Sequence, residues 1–231
     1  MACYVAANEA DLLAESMRSV KAYVDRYVIV DAIFDSNPAP GAHSSDGSIG
    51  VARAIASAIP SVPLTYIQSD AKLAEFCARN AYLEQLNHGD WCFVVDSDEV
   101  LYGDHQRICD ILDRIRSGEW THSVSIPVYS VALNVEGMAP DVTPEQFALA
   151  PLVSTVGDMP RLFAAAANLR YITPLAASTP ALTYFEDVPR YLVPAHYAAP
   201  GEMFLVNHHT RQTFASYQND YVWATDGVIY G

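Results

Sequence analysis

Short apolar runs alternate with segments of helical periodicity through the first half of the chain, and this alternation restricts the folds open to it. The runs predicted as strands cover residues 3–7, 27–30, 62–67 and 91–95. Segments with apolar residues at spacings of three and four, typical of amphipathic helices, follow each of them. Strands that alternate with helices form a parallel sheet covered on both faces. The sequence therefore predicts an α/β fold with a doubly wound, mostly parallel sheet.

The second half of the chain has a weaker pattern. Eight of the 14 prolines lie between Pro127 and Pro189, and strands are predicted only near residues 125–131 and 204–207. We expect a single domain over residues 1–231, in which residues 1–122 carry the regular sheet and residues 123–231 supply loops and a substrate pocket.

Three carboxylates follow the last predicted strand of the first half, in the sequence Asp96-Ser97-Asp98-Glu99. Ligands of open α/β sheets bind outside the carboxyl ends of the strands, and carboxylates suit hard cations such as Mg²⁺ or Mn²⁺. The tetrad therefore indicates a site for a metal ion and a diphosphate. The alternative interpretation is a solvated acidic turn after a strand.

The composition excludes several classes of partner. The net charge is −14 and the chain has two lysines, Lys21 and Lys72, which argues against non-specific binding to nucleic acid or anionic lipid. The four cysteines have no short paired spacing, so we interpret them as small core residues in a reducing compartment. We find no apolar stretch of transmembrane length and no secretory signal, and we expect a cytoplasmic protein.

A series of polar pieces in a fixed order gives the chain a resemblance to a known family. The pieces are, in order, Asn8-Glu9, Asp31, residues 44–48 (Ser-Ser-Asp-Gly-Ser), Arg79-Asn80, Gly89-Asp90 and the tetrad 96–99. This order resembles that of family 2 glycosyltransferases with the GT-A fold, over roughly residues 3–103. The run Arg161-Leu162-Phe163 is also similar to one that precedes the acceptor region in that family.

The resemblance implies an activity and a donor site. It implies a hexosyltransferase-like enzyme that moves a sugar from a nucleotide-diphosphate donor to an unidentified glycan, lipid or small-molecule acceptor, with inversion. Residues 1–122 would bind the nucleotide-sugar and residues 123–231 the acceptor. The positions that would cradle the nucleoside are Asn8, Glu9, Asp31 and Asp46, although Asp46-Gly47 also fits a turn that caps the following helix.

The same resemblance suggests a site for Mn²⁺ or Mg²⁺. Asp98 would contact the metal directly, Asp96 would bind the ribose or a metal-bound water, and Glu99 would lie behind them. A histidine late in the fold often completes such a site, and the pair His208-His209 lies in a similar region. Neighbouring strand residues face opposite ways, so only one of the two should reach the metal, and we favour His208.

Two residues of the third predicted helix have two interpretations each. Arg79 would steady the aspartates or the diphosphate, or would be a solvated arginine on the helix surface. Asn80 lies on an apolar stripe, where an unsatisfied amide is costly, and would either contact the ligand or tie the helix to a loop.

The catalytic base is left open by the sequence, with Asp158, Glu186 and Asp187 as candidates. The loop over residues 32–43 is longer than in the commonest members of the family. A nucleotidyltransferase is an alternative function, although the chain has no Gly-rich, Lys-containing loop near its amino terminus. A module that binds a nucleotide-sugar without turnover is the other.

Overall fold

The structure is a computed structural model that describes residues 1–35, 37, 40–131, 152–154, 160–172, 181–184, 190–192, 194–199 and 202–207. The helices are α1 (Ala10–Val20), α2 (Ser48–Ser57), α3 (Glu75–Leu83) and α4 (His105–Arg116). The strands are β1 (Ala2–Ala6), β2 (Tyr27–Asp31), β3 (Leu64–Gln68), β4 (Trp91–Val94), β5 (Glu99–Gly103), β6 (Ser123–Ser125), β7 (Val128–Val131), β8 (Leu152–Ser154), β9 (Leu162–Ala164), β10 (Leu169–Ile172), β11 (Ala181–Tyr184), β12 (Arg190–Tyr191), β13 (His196–Tyr197) and β14 (Met203–Asn207).

Seven of these strands form the main sheet, in the order β13-β6-β9-β4-β1-β2-β3. The strands β3, β2, β1 and β4 are mutually parallel. β9 runs antiparallel to both of its neighbours, β4 and β6, while β13 is parallel to β6. One strand of the seven is therefore reversed, and the prediction of a mostly parallel α/β sheet is confirmed.

The main sheet is buried on both faces by the predicted helices. Along β1, Tyr4 packs into a cluster with Leu13 and Met17 of α1, while Cys3 packs into a second cluster with Tyr82 of α3. The alternation follows from the pleat of a strand, which sends successive side chains to opposite faces. Strands covered on both sides read as continuous apolar runs, which is why β1, β2 and β4 were predictable.

The structure shows where the cysteines lie and where the third helix begins. Cys3 and Cys92 are buried core residues, but Cys77 is exposed and Cys109 half-buried, so the core interpretation is wrong for Cys77; all four are free thiols. α3 begins at Glu75, because Ala74 is extended and Leu73 bridges to Phe34. No helix in the described part of the chain is long and apolar enough to cross a bilayer.

Two smaller sheets complete the described fold. One has the strand order β5-β14-β7-β8 and the other β10-β11-β12. β5 pairs antiparallel with β14, with Glu99 opposite Asn207 and Gly103 opposite Met203. Glu99, which the alternative interpretation of the tetrad places in a solvated turn, is buried and begins β5. The second half of the chain thus contributes β6, β9 and β13 to the main sheet.

Candidate functional site

The strand order reverses between β1 and β4, and polar residues from both strands meet there. β2 and β3 lie on one side of β1 and β4 on the other, so the carboxyl ends of β1 and β4 flank the switch point of the sheet. Ser97, after β4, donates a hydrogen bond from its hydroxyl to the carboxylate of Glu9, after β1. Such a crevice is the usual ligand position in an open α/β sheet.

Asn8 docks the loop that carries residues 44–48 onto the end of β1. Its φ angle is 56°, in the left-handed region that asparagine tolerates better than most residues. Its backbone N–H donates to Ser44 Oγ at 2.8 Å, and its side-chain Oδ1 accepts the Ser45 N–H at 2.8 Å. The loop is therefore fixed beside the crevice by both the backbone and the side chain of one residue.

Asp31, at the end of β2, supports the same loop from inside the fold. Its side chain is fully buried and one carboxylate oxygen accepts hydrogen bonds from the Ser44 N–H at 2.7 Å and the Ser44 hydroxyl at 2.6 Å. The other oxygen accepts from the Tyr66 hydroxyl at 3.0 Å and from Gln68 at 3.4 Å. All four contacts are made within the protein, so the nucleoside-binding role of Asp31 stays a prediction.

Asp46 connects the beginnings of two helices. Its Oδ2 accepts the N–H of Ala10, the first residue of α1, at 2.8 Å, and its Oδ1 accepts the N–H and hydroxyl of Ser48, the first residue of α2, at 3.1 and 2.6 Å. Burial acts to raise the pKa of Asp46, but these hydrogen bonds outweigh it and hold the pKa below its usual value. This geometry agrees with the helix-start interpretation, and ligand contact stays a prediction.

Two arginines hold Asp96, the first carboxylate of the tetrad. Arg79 of α3 donates from Nη2 to Oδ1 at 3.0 Å, and Arg161, which precedes β9, donates from Nη1 to Oδ2 at 3.3 Å. Burial alone would raise the pKa of Asp96, but the two guanidinium groups hold that pKa at about 2. Asp96 is thus a charged anchor between the two halves of the chain.

Glu99 is buried deeper than the other acidic residues of the tetrad. Its carboxylate accepts from Arg161 Nη2 at 2.6 Å and from the Asp96 N–H at 2.9 Å. Burial, with Asp96 and Asp98 adding their negative charge, raises the pKa of Glu99 to about 8, although Arg161 acts to lower it. The expectation that Glu99 lies behind the aspartates agrees with this placement.

Asp98 occupies the middle of the turn, and its residue surface is 8% exposed. Its carboxylate is of the type that suits Mn²⁺ or Mg²⁺. Both carboxylate oxygens of Asp96 accept hydrogen bonds from arginines. Within the described residues, no group of three His, Cys, Asp or Glu side chains is arranged to hold a metal ion. The metal-binding roles of Asp96 and Asp98 stay predictions.

Several predicted positions lie outside the described residues. They are the candidate bases Asp158, Glu186 and Asp187 and the histidine pair His208 and His209. Their assignments stay predictions.

Arg79 and Asn80 make contacts inside the fold. Besides Asp96, Arg79 pairs with Glu75 at 2.8 Å and lies over the Tyr171 ring at 5.8 Å, so it is a buried arginine rather than a solvated one. Asn80 donates to the Tyr171 carbonyl at 2.9 Å and accepts the Tyr171 N–H at 2.8 Å. Asn80 therefore ties α3 to β10, and its contact with a ligand stays a prediction.

The contacts of Arg161 with Asp96 and Glu99 were not predicted from the sequence. The available signal was electrostatic, because three carboxylates at the end of a buried strand need counter-ions and the chain has few basic residues. The run Arg161-Leu162-Phe163 was singled out for its resemblance, but only the antiparallel insertion of β9 beside β4 brings the guanidinium to Asp96.

No protein-family model and no curated protein matches the chain. Among solved structures it is similar to TarS of S. aureus, residues 1–349, with 15% identity, a TM-score of 0.52, and coverage of 77% of this chain and 51% of that one. The complex of TarS 1–349 with UDP-GlcNAc has a TM-score of 0.43, 17% identity, and coverage of 62% and 37%. The mannosyltransferase PcManGT from Pyrobaculum calidifontis with GDP-Man and Mn²⁺ has a TM-score of 0.42, 19% identity, and coverage of 54% and 34%.

These comparisons bear on the fold. The sheet order and the TarS likeness at a TM-score of 0.52 show the predicted class, an α/β domain of the GT-A type. The chain spans about half the length of TarS 1–349 and a smaller share of the other solved structures. Membership of family 2 stays a prediction.

Proposed function

We propose that the chain is a glycosyltransferase that binds a nucleotide-diphosphate sugar in the crevice between the carboxyl ends of β1 and β4. The observation that carries this proposal is the contact between Glu9 and Ser97 across the switch point, with the acidic tetrad on one side and residues 44–48 on the other. A single crevice thus offers polar groups for a nucleoside and carboxylates for a metal-bound diphosphate.

The donor class in the proposal, a nucleotide-diphosphate sugar, is taken from the structural neighbour TarS 1–349. TarS 1–349 is described with UDP-GlcNAc and with UDP, and it shares the fold of this chain. The base and the sugar of the donor here are unspecified. The acceptor in the proposal is a glycan, a lipid or a small molecule, and inversion of the anomeric centre follows the family resemblance alone.

In the proposed nucleoside pocket, Asn8 and Glu9 offer partly exposed side chains at the end of β1. Asp31 would act through Ser44, which it holds by two hydrogen bonds, and Asp46 would shape the pocket by joining the starts of α1 and α2. Asn80, tied to β10, would keep α3 and Arg79 in place beside the tetrad.

Asp98 would hold Mn²⁺ or Mg²⁺, with His208 as a proposed further ligand. A divalent ion supplies charge neutralisation on the leaving diphosphate. Asp96 is charged and fixed by Arg79 and Arg161, and from that fixed position it would bind the ribose or a metal-bound water. Asp158, Glu186 and Asp187 remain the candidates for the base that takes the proton of the acceptor hydroxyl.

A screen of nucleotide-sugars by thermal shift, with and without Mn²⁺, tests the donor assignment. A ligand that binds only the folded protein raises its melting temperature, and we expect one nucleotide-sugar to do so only with Mn²⁺ present. Asp98→Asn should abolish both the shift and the transfer of the sugar while the fold is retained. The exposed Asp113→Asn, which alters an ion pair with Arg116 on the surface, is the matched control.

Two results would count against the proposal. Wild-type Mn²⁺ dependence in Asp98→Asn would refute the metal contact. Binding of a nucleotide-sugar without transfer or hydrolysis would favour a binding module.

A further inference from the structure

Two hydrogen bonds join the first and last residues of the tetrad, Asp96 and Glu99, and close the four residues into a turn. The Glu99 N–H donates to the Asp96 carbonyl at 3.0 Å, and the Asp96 N–H donates back to the Glu99 carboxylate at 2.9 Å. Ser97 and Asp98 are the central residues of this turn. The position of Asp98 is therefore set by the conformation of the four-residue turn.

Arg161 spans the two ends of that turn with one guanidinium group. Its Nη1 donates to Asp96 and its Nη2 to Glu99, at 3.3 and 2.6 Å, and its side chain is 14% exposed. A guanidinium is planar and presents its donors in a rigid fork, so it fixes the separation of the carboxylates it bridges. A lysine ammonium is a single point of charge and cannot span both in the same way.

The backbone of Arg161 is itself fixed in the main sheet. Its N–H donates to the Val124 carbonyl at 3.0 Å and its carbonyl accepts the Val94 N–H at 2.8 Å. The guanidinium therefore extends from an ordered position between β4 and β6. Arg79 of α3 donates to the other carboxylate oxygen of Asp96. The Asp96 side chain is therefore held from two places in the fold, α3 and the residue before β9.

We propose that Arg161 is a positioning residue that fixes the turn over residues 96–99 and thereby sets the place of Asp98 for the donor-bound metal. This inference rests on the proposed function for the role of Asp98. The two hydrogen bonds by which Arg161 bridges Asp96 and Glu99, here called the clamp, do not depend on that function. A simple ion pair would require only a positive charge at this position. A positioning role requires the bidentate fork.

Arg161→Lys separates these two roles, because it keeps the charge and removes the fork. Two readouts apply: hydrogen exchange of the Asp96 and Glu99 amides by NMR, and the affinity for Mn²⁺ with UDP or GDP by titration followed with electron paramagnetic resonance. We expect the two amides to exchange at least about tenfold faster and the affinity to fall about tenfold, the scale of one lost charged hydrogen bond.

The chain provides an internal and an external control. The Val94 amide bonds to the backbone carbonyl of Arg161, so its exchange should be unchanged in the lysine variant if the sheet is intact. Arg116→Lys alters an exposed arginine that pairs with Asp113 at 3.0 Å, and it should change neither readout.

The outcomes distinguish the clamp from the donor site. Unchanged exchange of Asp96 and Glu99 in folded Arg161→Lys overturns the clamp. Faster exchange with unchanged affinity overturns the link to Asp98. Absence of Mn²⁺-dependent nucleotide binding in the wild type contradicts the proposed function, and amide exchange then still decides the clamp.

A second variant covers the case in which Arg161→Lys does not fold. Glu99→Gln keeps the size of the side chain but has one acceptor oxygen where Glu99 uses two, one for Arg161 Nη2 and one for the Asp96 N–H, so one of these two hydrogen bonds is lost. The same two amides should exchange faster, and unchanged exchange in that variant overturns the clamp.

Discussion

At the scale of single residues, Asp96 has a low pKa because two guanidinium groups contact it at 3.0 and 3.3 Å. Burial opposes ionisation, yet the pKa is about 2, below the usual value of 3.8. The folded state therefore binds a proton less tightly than the unfolded state. The resulting stabilisation is present above about pH 4 and is lost as the pH falls towards 2.

We predict that this loss can be measured as a difference in unfolding free energy between the wild type and Asp96→Asn. The variant should be less stable at pH 5, because it leaves two arginines without the carboxylate they share. The difference should shrink by about 2 kcal/mol between pH 5 and pH 2, as the wild-type carboxylate becomes protonated. Denaturant titrations at a series of pH values provide the measurement.

Asp113→Asn is the matched control for that experiment. Asp113 pairs with Arg116 at 3.0 Å, but both side chains are about two-thirds exposed or more, at 70% and 67%. An exposed ion pair contributes little. A pH-independent difference between the wild type and Asp96→Asn would show that the arginines do not stabilise the charged form of Asp96.

The place of the tetrad could be predicted from sequence, whereas its contacts could not. Asp96 follows an apolar run that is recognisable as a buried strand, and the carboxyl end of such a strand is a known ligand position. Arg161 is 65 residues away and reaches Asp96 through a strand pairing that leaves no local pattern. The saturation of Asp31 likewise depends on Tyr66 and Gln68, from a neighbouring strand.

At the scale of elements, the pairing of β5 with β14 depends on a glycine. Gly103 has a φ of 150°, and a Cβ there would collide with the Glu202 carbonyl oxygen and lie 3.1 Å from Ile108 Cδ1. We predict that Gly103→Ala lowers the unfolding free energy by about 2–3 kcal/mol, because backbone atoms must move to admit a methyl group. Chemical denaturation measures the loss.

Gly50→Ala is the control, because it adds the same methyl group at a position where the structure has room for it. Gly50 lies in α2, and a methyl group added there would have nothing within 4 Å of it. Alanine is favoured over glycine in a helix, so this variant should gain roughly 0.5–1 kcal/mol. Equal effects of the two substitutions would contradict the close approach of β5 and β14.

Two strands of the main sheet that were not predicted, β6 and β9, share one physical feature. β9 and β6 have three residues each, and strands of this length contain too few repeats of the period-two pattern to be recognised. β1, β2 and β4 were predictable because both of their faces are buried. β9 pairs with the open edge of β4, and β6 pairs in turn with β9, which is a tertiary effect.

At the scale of the whole molecule, the excess of 27 acidic over 13 basic residues generates repulsion within the folded chain. Salt shortens the screening length from about 30 Å at 0.01 M to about 3 Å at 1 M. We predict that melting temperature at pH 7 rises with NaCl over this range. A gain of about 1 kcal/mol would correspond to roughly 2–4 °C for a chain of this size.

The salt prediction needs a control for specific ion effects. KCl at equal concentration should give the same rise as NaCl, because screening depends on ionic strength rather than on the cation. A flat or falling melting temperature in both salts would show that the surface charges are already compensated by local pairs such as those around the tetrad.

The reversed strand β9 has a consequence for how the chain is made. Arg161 is synthesised 65 residues after Asp96, an interval of roughly 3–13 s at ordinary translation rates of about 5–20 residues per second. During that interval the edge of β4 that β9 later covers is without its partner strand. The nascent chain therefore passes through a stage with an open sheet edge and with only Arg79, of the two arginines, beside its acidic turn. An unpaired sheet edge can pair with strands of other chains, so this stage is the one at which the chain is most exposed to aggregation.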